Sequence, residues 1–122
     1  MNENMVAQET IDRGMLKAAS HDWIVAADYF KKAANLDNAS VEARFRLGWT
    51  YWMRSEAEKP SMADLALGYG AQVFGFDTVA RDRGRKFVNH KKLLQESAHW
   101  LKEALARDQN HAPSHYYLAQ VL

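Results

Sequence analysis

Ala26, Phe30 and Ala33 recur as Ser97, Leu101 and Ala104, 71 residues further along the chain. A small–x3–large–x2–small spacing places all three side chains on one helical face. Such a face is made for close helix packing: the small residues let a second helix approach, and the large one fills the gap beside them. Gly14 and Gly48, 34 residues apart, mark a shorter interval of the same kind. On that period 71 is two intervals plus three residues, and repetition at such a period points to stacked helix pairs.

The rest of the chain agrees with an all-helical fold. Apolar residues fall at helical spacing almost throughout, and no alternating pattern with hairpin turns appears. The spacing predicts seven helices, over about 7–19, 23–34, 41–54, 61–73, 78–90, 93–107 and 112–122. Asp22 is a good N-cap for the second. Ser61 and Asp64 form an approximate capping box for the fourth, which Gly68 and Gly70 weaken. Pro113 suits the first turn of the last helix, where its missing N–H costs nothing.

With 122 residues, the chain is one domain's worth. Its 16 basic and 15 acidic residues nearly cancel, so no overall field argues for nucleic acid or an anionic membrane. The absence of cysteine excludes disulfides, thiolate metal sites, covalent haem attachment and a cysteine nucleophile. The first five residues are polar, unlike a secretory signal, and no stretch approaches the roughly 20 apolar residues of a membrane span. A cytoplasmic protein is the expectation.

Leu47-Gly48-x2-Tyr51 and Ala26-x3-Phe30-x2-Ala33 are similar to the first- and second-helix signatures of the tetratricopeptide repeat. The chain therefore resembles that family. The resemblance implies a right-handed solenoid of antiparallel helix pairs in a single domain over 1–122. Its repeats are 7–40, 41–77 and 78–111, with a terminal helix over 112–122. In that register Ala63-x3-Leu67-x2-Gly70 supplies the middle repeat's second helix, and Leu118-Ala119 stands where Leu47-Gly48 did. The rival reading makes 55–91 an insertion inside one long repeat. The first repeat departs from the pattern, with Arg13 and Lys17 at usually apolar positions. In the third, Gly84-Arg85 shifts the Leu-Gly pair.

The resemblance also implies a groove lined by the first helix of each pair. Carried over, its positions are Ile11, Asp12 and Met15, then Phe45, Arg46, Trp49 and Met53. Asp82, Arg83, Lys86 and His90 follow, and then Tyr116 and Tyr117. Aromatics and arginines are typical anchors of binding surfaces, so Phe45, Arg46, Trp49, Met53, Arg83, Lys86, Tyr116 and Tyr117 are the expected contacts to a protein or peptide partner. The bland alternative is that Phe45, Trp49 and Trp52 are core. A family variant that clamps a terminal carboxylate needs residue types that only Arg83 supplies here, because the other places hold Ile11, Met15, Arg46 and Val79. That clamp is not expected.

Other chemistry has little support. Arg81 to Lys86, with Lys91 and Lys92, is the strongest basic cluster, but a helix scatters these side chains around its axis. His111 and His115 have no acidic or thiolate companion at metal-ligand spacing. No nucleophile–base pair or phosphate loop stands out. The expectation is a binding scaffold with no cofactor and no enzymatic activity. Two alternatives remain: self-assembly through the charge-free final helix, and association with nucleic acid through 81–92.

Overall fold

The computed structural model describes residues 3–59 and 77–122, with side chains placed for 5–59 and 88–122. Helices span Glu3–Ala19 (α1), Trp23–Leu36 (α2), Val41–Ala57 (α3), Asp77–Arg107 (α4) and Ala112–Val121 (α5), with no strand among the described residues. The fold is all-α, as the spacing predicts. The helix predicted at 61–73 lies outside the described residues, as do Ala63, Leu67 and Gly70.

Local chemistry sets the helix ends. Asp22 caps α2 by accepting from the Val25 N–H, and Ser40 caps α3 by accepting from the Ala43 N–H at 3.0 Å. At the end of α1, His21 takes a left-handed conformation (φ 60°), while the Asp22 N–H returns to the Lys17 carbonyl. That is a helix-ending motif usually served by glycine.

Consecutive helices pack on one another, α1 on α2, α2 on α3, α3 on α4 and α4 on α5, with a smaller contact of α3 with α5. Two of these contacts are the same device used twice. A Cβ at Gly14 would lie 2.6 Å from Cε1 of Phe30, and one at Gly48 would lie 2.7 Å from Cγ of Leu101. Neither place can hold a side chain without displacing the ring or the branched carbon opposite. Phe30 and Leu101 are both fully buried, as are Ala26, Ala33, Ser97 and Ala104. Ser97 adds a hydrogen bond, its Oγ–H donating to the Gly48 carbonyl at 2.7 Å.

The turn after each covering helix is repeated too. Asp37 and Asp108, again 71 residues apart, each accept a backbone N–H two residues on, from Ala39 at 3.0 Å and Asn110 at 3.1 Å. Ser40 and His111 then donate back to the carbonyls of Asp37 and Asp108, both at 3.2 Å. These are turns in which an aspartate side chain organises its own loop. The following residues Ala43 and Ser114 are both fully buried. The 71-residue interval therefore maps α2 and α3 onto the end of α4 and onto α5, and Ala119 occupies the place of Gly48.

In the first of these turns Arg44 serves four acceptors. Nη1 donates to the carbonyls of Asp37 and Ser40, and Nη2 to the Ala34 carbonyl and Asn38 Oδ1. These tie the last turn of α2, through the Ala34 carbonyl, to the loop that leads into α3. Burial, and next the neighbouring Arg107 guanidinium, holds Arg44 below the ordinary arginine range. Its charge still persists at any physiological pH, because arginine starts so high.

The structure departs from the sequence reading at 91–92. Helices over 78–90 and 93–107 were expected as an antiparallel pair, but Asp77–Arg107 is one helix of 31 residues. The expected break came from apolar spacing, but Lys91 and Lys92 are good helix formers, and neither proline nor glycine is near. Residues 78–111 thus do not fold back on themselves. The helix that covers Gly48 is α4, through residues beyond the expected break.

Two stability measurements check this packing. Gly48→Ala gains about 1 kcal/mol of helix propensity but costs about 1–3 kcal/mol in overpacking against Leu101, so the melting temperature should fall. Lys91→Pro should cost about 3 kcal/mol, because it removes a hydrogen bond inside a helix. A turn at 91–92 would tolerate it.

Candidate functional site

α3 is central to the packing, and its side chains divide among α2, α4 and α5. Phe45, at 7% exposure, closes a small core with Leu101 and Ala104. Its ring lies 5.9 Å from that of Tyr117 and 5.2 Å from that of His111. Trp52 also reaches Tyr117, at 5.3 Å. On the other side Trp49 meets Trp23 of α2 edge to face at 5.7 Å, a favoured aromatic geometry.

Arg46 lies between these groups. Its guanidinium carbon is 5.2 Å from the centre of the Phe45 ring and 5.4 Å from that of Trp49. Both are within cation–π range. The side chain is half-buried, and its Nε is shut off from solvent with no hydrogen-bond partner among the described residues. A cation placed this way is partly stripped of water, and an anionic group that reaches it gains more than it would from a fully solvated arginine.

The expected contact residues separate into three groups. Arg46, Trp49, Met53 and Tyr117 are half-buried, and Tyr116 is 61% exposed. Phe45 and Ile11 are buried, so their rings and branches pack the interior; Asp12 is exposed and Met15 half-buried. The side chains of Asp82, Arg83 and Lys86 lie outside the described residues. Asn89 borders the last turn of α3, lining a cleft with Ala57, Glu58 and Lys59. Arg83 stands roughly 25 Å along α4 from Leu101 at 1.5 Å per residue.

The remaining candidates are otherwise engaged. His111 Nδ1 shares a hydrogen bond with Ser114 Oγ at 2.7 Å, and His115 Nε2 is 2.7 Å from the Gln109 carbonyl. Among the described residues no three histidine or acidic side chains converge on a metal-sized site. No described helix is long and apolar enough to cross a membrane. In the basic cluster, Lys91 and Lys92 are exposed and the side chains of 81–86 lie outside the described residues. A cleft of about 160 Å³ between His21, Trp23, Arg54 and Glu58 is smaller than ordinary ligand pockets. No protein-family model matches this chain, and no curated protein matches it.

The sequence reading missed Arg44, which carries no motif that marks it as a turn-holding residue. It also missed the Asp37–Asp108 pair, although the 71-residue interval was available to find it.

Phe45 and Tyr116 occupy matching positions in α3 and α5, and their burial predicts opposite outcomes. Phe45→Ala should destabilise the fold by about 3–5 kcal/mol, as large-to-small core changes do. Tyr116→Ala should stay within about 0.5 kcal/mol. Urea denaturation of the two variants measures both.

Proposed function

We propose that the chain is a helical-repeat module of the tetratricopeptide type that binds a segment of another protein and performs no chemistry itself. Supporting the repeat reading is the duplicated contact in which Phe30 covers Gly14 and Leu101 covers Gly48. The observation that carries the binding reading is Arg46, a half-buried cation against the rings of Phe45 and Trp49.

Arg46, Trp49 and Met53 follow one another at intervals of three and four residues, along one side of α3. A segment lying along them meets a cation, an indole and a thioether in that order. The fitting partner carries an Asp or Glu beside a large apolar side chain. Its carboxylate pairs with Arg46, and its apolar group packs on Trp49 and Met53. Met53 adapts to the shape of what it meets, while the Arg46 ion pair gives orientation. Trp49 also packs inside the chain, so Arg46 is the cleaner residue to vary.

Selection of a displayed random-peptide library on the immobilised chain tests this reading. The recovered peptides should be enriched in an acidic residue next to an aromatic or aliphatic one. Arg46→Gln should weaken their binding about 10- to 100-fold, the worth of a hydrogen bond to a charged group, with the melting curve nearly unchanged. Peptides without acidic residues, or binding indifferent to Arg46→Gln, would overturn the proposal.

A further inference from the structure

The second observation concerns α5 alone and is independent of the Arg46 surface. One side of α5 is spent: Ser114 is fully buried against the body of the protein, and Tyr117, Leu118 and Val121 pack on the core of Phe45, Leu101 and Ala104. The opposite side is bare. Ala112, Tyr116 and Ala119 are all exposed there, Tyr116 by 61%.

These three residues have the spacing of the chain's own packing device. Ala112-x3-Tyr116-x2-Ala119 repeats the small–large–small pattern of Ala26-Phe30-Ala33 and Ser97-Leu101-Ala104. In both earlier copies the large residue presses onto a glycine of a facing helix, Phe30 onto Gly14 and Leu101 onto Gly48. The 71-residue equivalence places Ala119 where Gly48 stands, as the small residue that receives the large one. α5 therefore carries both halves of the contact on one uncovered face: a large residue to insert, and a small residue to accept it.

A face that contains both halves is complementary to itself. From this we infer that α5 pairs antiparallel with α5 of a second copy about a two-fold axis, Tyr116 of each seating on Ala119 of the other. A two-fold contact of this kind is isologous, so each insertion is matched by its rotation-related equivalent and the assembly closes at two. Alanine in place of glycine, and tyrosine in place of leucine, set the two helices slightly further apart than α3 and α4. Tyrosine suits this position because its ring fills the gap while its hydroxyl stays at the wet edge. Charge also favours a second copy, since residues 109–122 contain no Asp, Glu, Lys or Arg and the pairing brings no like charges together. The contact is small for a protein interface, so the dimer is weak, with a dissociation constant of roughly tens of micromolar.

Sedimentation equilibrium from about 5 to about 500 µM, a range that brackets this dissociation constant, reads the association. The mass should rise from that of one chain, 14.0 kDa, towards twice that value. Tyr116→Glu and Ala119→Glu should each weaken the dimer at least tenfold at unchanged helicity, because both residues face solvent in the monomer. Ile24→Glu, at an exposed apolar residue of α2, should change nothing. A photo-crosslinking amino acid at 116, in a mixture of light and isotope-labelled chains, should join to the 119 region of the other copy. A mass that stays at one chain throughout, a dimer indifferent to both α5 variants, or crosslinks on α1–α3 would overturn the inference. None of these outcomes bears on Arg46, so the peptide-binding proposal stands or falls separately.

Discussion

Close approach of backbones at two glycines organises this protein. Where Phe30 lies over Gly14 and Leu101 over Gly48, the helices are nearer than any residue with a side chain would permit. Dispersion forces fall off steeply with separation, so this proximity turns ordinary aliphatic and aromatic groups into tight packing. What surrounds the two contacts is arranged to preserve them. Alanine and serine flank the large residues, Ser97 ties its helix to the Gly48 carbonyl, and aspartate turns bring the next helix back in register.

From the same arrangement comes the character of α3. Pinned at Gly48 by α4, it uses Phe45 and Trp52 towards α5 and Trp49 towards α2. Arg46 is caught in the middle, its cation held against rings whose first duty is packing. A binding surface built from residues anchored this way loses little freedom when it is occupied. The half-buried state of Arg46 is thus a by-product of the fold.

How much of this the sequence discloses depends on range. The small–large–small pattern, the paired glycines, the Asp22 cap and the first-turn Pro113 are local, and they predict helices that pack closely at Gly14 and Gly48. The partner of Gly48 is a long-range matter. On a 34-residue period with three extra residues in one loop it falls at Leu67, whereas the structure supplies Leu101. Nothing in the local pattern near 91–92 distinguishes one 31-residue helix from two shorter ones, because the lysines there favour helix in either case. Among the candidate contacts, Phe45 and Tyr116 look alike in sequence as aromatics at equivalent places. Only the presence of a covering helix over one and not over the other separates packing from surface. The spacing of Ala112, Tyr116 and Ala119 is plainly written, but it takes on meaning only when that face is seen to be empty.

The loop between α2 and α3 has a wider consequence. Arg44 binds it from within, while Arg107, from the last turn of α4, donates to the Asn38 carbonyl at 2.7 Å across 69 residues of sequence. A loop held from both directions couples α2 and α3 to the end of α4. In arrays of stacked helix pairs, such neighbour coupling decides whether melting proceeds piecemeal or all at once. Here a single asparagine carbonyl links the last turn of α4 to the loop between α2 and α3, so that loop is shared by elements far apart in sequence.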